Sequence, residues 1–436
     1  LVKPIARRLT IAPLVAATYF MVSGGPYGLE ELIAGAGYRG AIIVLVVAPL
    51  VWSLPTALMI GELAAALPDE GGFYAWVKRA LGPFWGFQEA WLSLVASVFD
   101  MAIYPTLFSL YLARVFPQLG TGHAPLLLGA ALIAACCAWN LRGARSVGNG
   151  AIILTVLLLL PFAALTVAAM VKPSVATPAA PLPTTGLGAA FIVAMWNYMG
   201  WDNASTIAAE VERPQRSYPI AMLSAVALVA VTYVVPVAAV SHVGLDPTAW
   251  TTGSWVDAAR LVAGPWLANG VVIGGVICAV GMFNALILSY SRLPAALASD
   301  GFLPRALAWH HPETGAPWVA IVACCLAYTA CLGLGFVRLL ELDVILYGSS
   351  LILEFVALIV LRIREPQLVK PFKIPGGTVA ALLLALPPTA LILAAAWVSR
   401  HEQAGRLPAL TLGAILVVPG PLMYWIGSRR RRWPGT

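Results

Sequence analysis

Charge is what this sequence has least of. Only 10% of its 436 residues are Asp, Glu, Lys or Arg, against about 25% in an ordinary soluble domain. With 60% apolar residues and a mean hydropathy of +0.87, the chain has too few polar side chains to cover a water-facing surface. Cysteine is sparse and unpaired in pattern: Cys136, Cys137, Cys278, Cys324, Cys325 and Cys331 fall inside apolar runs with no C-x-x-C spacing. They read as small buried hydrophobes, with no metal site. The five histidines, at 123, 242, 310, 311 and 401, fall in loops or at the ends of apolar runs, where solvation is the expected state. No metal set, nucleophile–base pair or stretch long enough to bury its own core is visible, so an enzyme and a soluble domain are both excluded and no cofactor is implied.

What the chain does have is apolar length. A helix needs about 20 mostly apolar residues to cross the hydrocarbon layer, and twelve runs qualify: 11–36, 41–66, 84–115, 123–141, 147–171, 187–209, 218–243, 256–298, 316–335, 341–363, 378–399 and 407–427. With both ends on one side, that side collects nineteen basic residues, including Lys3, Arg7, Arg8, Lys78, Arg79, Arg362, Arg364 and the Arg429–Arg432 run. The other side collects seven: Arg39, Arg114, Lys172, Arg260, Arg338, Arg400 and Arg406. The positive-inside rule therefore predicts two cytoplasmic termini in a cytoplasmic (inner) membrane. The net charge of +7 is loop asymmetry plus a basic tail against anionic lipid, not a nucleic-acid surface. The first run is long and broken by Gly24-Gly25-Pro26, so a retained helix is expected rather than a signal peptide.

The longest breaks are 67–83, 299–315 and 364–377. The first, Pro68 to Trp76, mixes turn formers with aromatics and suits either a packed loop or a short interfacial helix. Lys172 to Gly186, with four prolines, reads as an extended connector. Five runs precede it and seven follow. Because five is odd, two successive five-helix units would insert in opposite senses, giving residues 1–171 and 187–363 as inverted repeats and 378–427 as two extra helices. The first run of each unit is interrupted, at Ser23-Gly24-Gly25-Pro26-Tyr27-Gly28 and at Asn197-Tyr198-Met199-Gly200-Trp201-Asp202. Matching interruptions point to a transport site. The expected fold is an all-α integral membrane protein, 1–436 as one domain of 12 transmembrane helices, whose 5+5 inverted repeat with broken helices 1 and 6 resembles the leucine-transporter architecture.

Glycine and proline remove side-chain bulk and backbone donors, so the helix opens at Ser23, Gly24, Gly25 and Tyr27 and frees carbonyls and amides. Amides after Gly28 suit a carboxylate, carbonyls before it an ammonium; the competing reading is a packing kink. The ionisable residues inside the runs are nearly all acidic: Glu30, Glu31, Glu62, Asp100, Asp202, Glu210 and Glu354, with no lysine deep in any run. Each costs about 2.5–3.5 kcal/mol near mid-membrane, so a positive charge must come from a proton or a cationic substrate. Asp202 is the first choice for binding, beside Trp201 and six residues after Trp196, where an amine meets a carboxylate and aromatic faces; a helix cap is the alternative. Asp100 and Tyr104, one turn apart, share a face, with ordinary interhelical hydrogen bonding as the alternative. Of Glu30 and Glu31 only one can reach the cavity. Glu62 and Glu210 stand where loop arginines can pair with them. Glu31, Asp100, Asp202 and Glu210 are the candidates for carrying a coupled proton.

Three stretches resemble the amino acid-polyamine-organocation superfamily, and within it the plant-type polyamine:proton symporters. They are Tyr19 to Glu31, Gly71-Gly72-Phe73 through Leu81-Gly82-Pro83-Phe84-Trp85-Gly86-Phe87, and Trp196-Asn197-Tyr198 through Glu210-Val211-Glu212. The resemblance covers nearly the whole chain. It implies proton-coupled import of di- and polyamines, or of amino acids as a permease or exchanger, with Trp196, Asp202 and Tyr104 standing where cavity residues would be. Two departures are present. Met21 stands where the polyamine pattern places an acid before Val-Ser-Gly-Gly, which removes one contact to a second amine. The fifth run offers Thr155 instead of the lysine of some amino-acid relatives, so coupling would run through a carboxylate.

Overall fold

Runs of Leu, Val, Ala and Ile separated by Gly and Pro leave helix as the one way to satisfy the backbone without water. The computed structural model describes residues 9–173, 187–332, 336–398, 403–404, 407–408 and 414–431. Its helices are α1 (Ile11–Val22), α2 (Glu30–Ala48), α3 (Leu54–Ala66), α4 (Phe73–Leu81), α5 (Pro83–Ala113), α6 (Ala124–Asn140), α7 (Ala144–Val171) and α8 (Leu187–Asn197), followed by a 3-10 segment (Trp201–Glu210). Then come α9 (Pro214–Ser241), α10 (Ser254–Ala263), α11 (Pro265–Tyr290), α12 (Arg292–Ser299), α13 (Trp318–Ala330), α14 (Phe336–Arg364), α15 (Gly377–Val398) and α16 (Pro419–Arg431). The extended exception among the described residues is a minimal antiparallel pair, β1 (Gln403–Ala404) with β2 (Leu407–Pro408), in register Gln403 to Pro408. The proline-rich connector beyond Pro173, and Lys3, Arg7, Arg8, Arg400, Arg406 and Arg432, lie outside the described residues.

Seven helical stretches among the described residues are long and apolar enough to cross a membrane: Glu30–Ala66, Pro83–Ala113, Ala144–Val171, Pro214–Ser241, Pro265–Ser299, Leu346–Arg364 and Gly377–Trp397. Three shorter apolar helices, α1, α6 and α13, accompany them. Their outer faces carry Leu127, Ile153, Leu160, Met170, Leu326 and Leu393, each more than half exposed. Water would not tolerate such a surface; lipid does.

The helices follow the expected runs with three revisions, one being that the described part of the run 407–427 begins as strand β2 (Leu407–Pro408), with α16 starting at Pro419. The run 256–298 is three helices, because Gly264 takes φ 87° and Pro265 has no N–H, so α10 stops there and α11 starts afresh. Gly37, at φ 65°, breaks α2, and the chain continues through a π-turn at Pro49–Ser53 into α3. The segment after Pro68 holds both of its expected forms: a turn at 70–72, then α4, which buries Phe73, Tyr74, Trp76, Val77 and Ala80 along one face.

At the centre, α1 packs on α7, α9 and α11, and α5 packs on α11 and α14. At one end of the bundle a set of ion pairs ties the helices together. Glu210 accepts from Nε and Nη2 of the fully buried Arg292 at 3.0 and 2.9 Å. Arg362 of α14 donates to both oxygens of Glu62 of α3, with Nε at 2.8 Å, and Glu62 also accepts from the amide of Ile374. Lys78 and Tyr74 both bind Asp300, and Arg79 forks onto Glu365. His310, expected as solvated, is half-buried and 3.1 Å from Glu70.

Glu62→Gln leaves the Arg362 charge buried without its counter-ion and should cost about 3–5 kcal/mol. The measurement is the melting temperature of the detergent-solubilised protein; an unchanged value would mean that water reaches the pair. Glu70 raises the His310 pKa above its ordinary 6.5. The stability from this contact is fully present below pH 6.5 and is lost as pH rises through the raised value. The melting temperature should therefore fall on the alkaline side, and His310→Gln should flatten that slope.

Candidate functional site

Two interruptions meet in the middle of the bundle. The first opens after Val22: Ser23 is extended, Gly25 and Gly28 take φ 76° and 90°, and the helix resumes at Glu30. The Ser23 hydroxyl accepts from the Gly25 amide at 3.1 Å, a local bond that holds the opened turn. The second opens after Asn197. Gly200, at φ 90°, donates its amide to the Tyr347 hydroxyl at 3.0 Å, and the chain continues as ten residues of 3-10 helix. Runs of that geometry beyond three or four residues are uncommon and mark hinges or strained sequence.

The freed carbonyls of the second break are capped by side chains: Tyr233 donates to Asn197 O at 2.8 Å and Trp52 Nε1 to Tyr198 O at 2.9 Å. The breaks also touch each other. Asn197 Nδ2 donates to Gly28 O at 3.3 Å, and a Cβ at Gly200 would stand 2.3 Å from Met21 O. Only glycine at 200 supplies both the left-handed conformation and that approach.

Between the breaks lies a cavity walled by α1, α5, α8, α9, α11 and α14, with Gly24, Tyr27, Trp196, Asn197, Tyr233, Met282 and Tyr290 among its lining. Two carboxylates enter it, Asp100 from α5 and Asp343 from α14. Asp100 accepts from Tyr104 at 2.6 Å and from Tyr290 at 3.2 Å, so the sequence-predicted Asp100–Tyr104 pair forms on one face. Among the described residues, no Lys or Arg lines the cavity. Its free volume is about 20 Å³, room for about one water molecule. The site is closed.

Of the residues singled out from sequence, Gly24, Tyr27, Asp100, Tyr104 and Trp196 line the cavity. Ser23 and Gly25 shape the first break without reaching the lining. Asp202 stands behind the wall and accepts from the hydroxyl of Tyr347, which does line it. Trp201 is fully buried beside it.

Glu30 is saturated from within the chain: it accepts from Tyr111, from Gly253 N at 3.1 Å and from Gly28 N at 2.7 Å. The Gly28 amide, at the end of the first break, thus meets Glu30. Glu31 points to the surface, with Thr252 3.4 Å away. Glu210 is committed to Arg292.

Sequence reasoning passed over Asp343, Tyr347, Tyr290, Tyr233 and Asn203, all in the lining, and the buried Glu89. A signal was available for the first two: Asp343 and Tyr347 repeat the four-residue spacing of Asp100 and Tyr104. The tyrosines of α9 and α11 carry no such mark, because their role comes from helix crossings that periodicity does not encode.

The sequence matches the Amino acid permease family over residues 15–418. It is 35% identical over 434 residues to Polyamine transporter PUT1 of Oryza sativa subsp. japonica, spanning 98% of this chain and 80% of that protein. To Polyamine transporter RMV1 of Arabidopsis thaliana it is 32% identical over 415 residues, 94% of this chain and 84% of the relative. To Serine/threonine exchanger SteT of Bacillus subtilis it is 24% identical over 384 residues, 85% of each. A lipid-facing helical bundle, two interrupted helices around a closed acidic cavity and these matches lead to one conclusion: the chain belongs to the Amino acid permease family and is a multi-pass membrane transporter.

Proposed function

We propose that this transporter imports polyamines or related amines across the cytoplasmic membrane by proton symport with alternating access. The observation that carries it is the cavity's charge: two carboxylates in the wall, a third behind it, and no lysine or arginine among the lining residues. A buried cluster of one sign needs its counter-charge from outside. An alkylammonium supplies it, held by Asp100 and Asp343 and stacked against Trp196 and the tyrosines. Asp343 also offers the second carboxylate that Met21 does not, as a two-ended amine requires. The names of the plant relatives point to the same cargo.

An amino acid would bring its own carboxylate, and the amide of Gly28 that could receive it is already held by Glu30. This favours amines over the exchange of amino acids. Around the site we read twelve spans with both termini cytoplasmic: residues 1–171 and 187–363 as inverted five-helix repeats of the leucine-transporter kind, and 378–427 as two added helices. The ion pairs of Glu62, Glu210 and Asp300 then close the cytoplasmic end, and the Glu30–Tyr111–Gly253 contacts close the outer one.

The test is uptake of labelled putrescine into proteoliposomes under an inward proton gradient, with spermidine and neutral or cationic amino acids as competitors. Competition by polyamines is expected; competition by amino acids alone would overturn the cargo assigned here. Asp100→Asn and Asp202→Asn keep side-chain size and remove charge, and each should reduce uptake at least tenfold at unchanged expression. Near-normal uptake by Asp202→Asn would remove that residue from the mechanism.

A further inference from the structure

A second acidic pair lies outside the cavity. Glu89 of α5 and Glu354 of α14, two helices packed on each other, are both fully buried. They lie within electrostatic range of each other and of Asp202. Ser93 donates to Oε1 of Glu89 at 2.9 Å, but Oε2 of Glu89 and both oxygens of Glu354 have no hydrogen-bond partner among the described residues.

Among the described residues, the cations of α4 and of the C-terminal end of α14 are engaged elsewhere. Lys78 binds Asp300, Arg79 binds Glu365, Arg362 binds Glu62, and Arg364 donates to the carbonyl of Ala80 at 3.2 Å. The groups that bear on the pair are Asp202, with Tyr347 bound to it, and Ser93. An ionised carboxylate with neither donor nor counter-ion is prohibitively costly in so dry a place; the neutral acid is not.

Position separates this pair from the substrate cavity. Glu354 lies seven residues beyond Tyr347, about 10 Å along α14, and Glu89 eleven before Asp100, about 16 Å along α5. Both displacements run toward the end where Lys78, Arg79 and Arg362 sit. Neither glutamate is among the residues that line the cavity.

Taking the transporter to be proton-coupled, as proposed above, we propose that Glu354 and Glu89 share the transported proton, with Asp202 as the electrostatic link to the bound amine. The O–H bond forms at a glutamate oxygen with a proton from the outer water. It breaks when the basic end opens and water receives the proton.

The experiment compares two modes of putrescine transport in proteoliposomes: accumulation driven by a proton gradient, and gradient-free counterflow against internal unlabelled putrescine. Glu354→Gln should keep counterflow within about twofold of the parent and lose at least tenfold of driven accumulation, with the pH dependence of its KM flattened. Glu89→Gln should weaken driven accumulation in the same sense, and Glu354→Asp should restore it. Driven accumulation by Glu354→Gln equal to the parent overturns the assignment. So does loss of both modes in Glu354→Gln when Glu89→Gln keeps both, which would make Glu354 part of substrate binding or folding. If the parent protein does not respond to a proton gradient, proton symport itself fails, an outcome separate from the variants' behaviour.

Discussion

The constraint on which the structure depends is that a backbone amide, a carbonyl or a charge within the bilayer must find its partner inside the protein. The two interrupted helices stand at the limit of that rule. Each break exposes main-chain polar groups, and each is tolerated because aromatic side chains reach in from other helices: Tyr233 and Trp52 to the second break, Trp255 Nε1 to the carbonyl of Pro26 in the first. The tyrosines are therefore structural donors as well as cavity lining. A phenol serves both purposes because its ring packs like a hydrophobe and its hydroxyl can bridge two acceptors.

The same constraint sorts the carboxylates. Glu62 and Glu210 have arginines, Glu30 has three donors, Asp100 has two tyrosines and Asp202 has one. Glu354 has nothing. From the ion-paired end of the bundle toward its middle, compensation by resident cations gives way to compensation by hydroxyls. Only in the middle is there chemistry left for a visiting cation or a proton. Acidic residues that look alike in the sequence thus divide into clamps and sites according to what stands beside them.

Much of the fold was legible in the sequence because a bilayer imposes length and apolarity on each helix, and Gly24-Gly25-Pro26 and Gly200 announce where a helix cannot continue. Hydropathy alone did not divide the run at Gly264: α10, with Asp257 and Arg260, is markedly less apolar than α11, but the break itself depends on the backbone angle at Gly264. The site was legible in part. Asp100, Tyr104 and Trp196 follow from charge and helical spacing, whereas Asp343 sits near the start of its run, where a carboxylate reads as a helix end. Glu30 shows the reverse: an acid at the right break is held by donors from Gly28, Tyr111 and Gly253, the last two from sequence positions far from it, which helical periodicity does not bring together.

The ten residues from Trp201 to Glu210 are wound as 3-10 helix. At about 2.0 Å per residue they span roughly 20 Å, where an α-helix at about 1.5 Å per residue would span roughly 15 Å. The segment therefore holds about 5 Å of slack between Gly200 at the cavity wall and the Glu210–Arg292 pair at the bundle's end. Rewinding would shorten that distance, turn Asp202 and Asn203 about the helix axis, and exchange the bonds by which Tyr218 holds Ala204 O, Phe73 N holds Ser205 and Ser289 holds Asn203 and Thr206. Length and side-chain direction at the cavity are thus linked in one stretch, which also carries the contacts to α3, α9 and α11 through Ala204, Ser205 and Thr206.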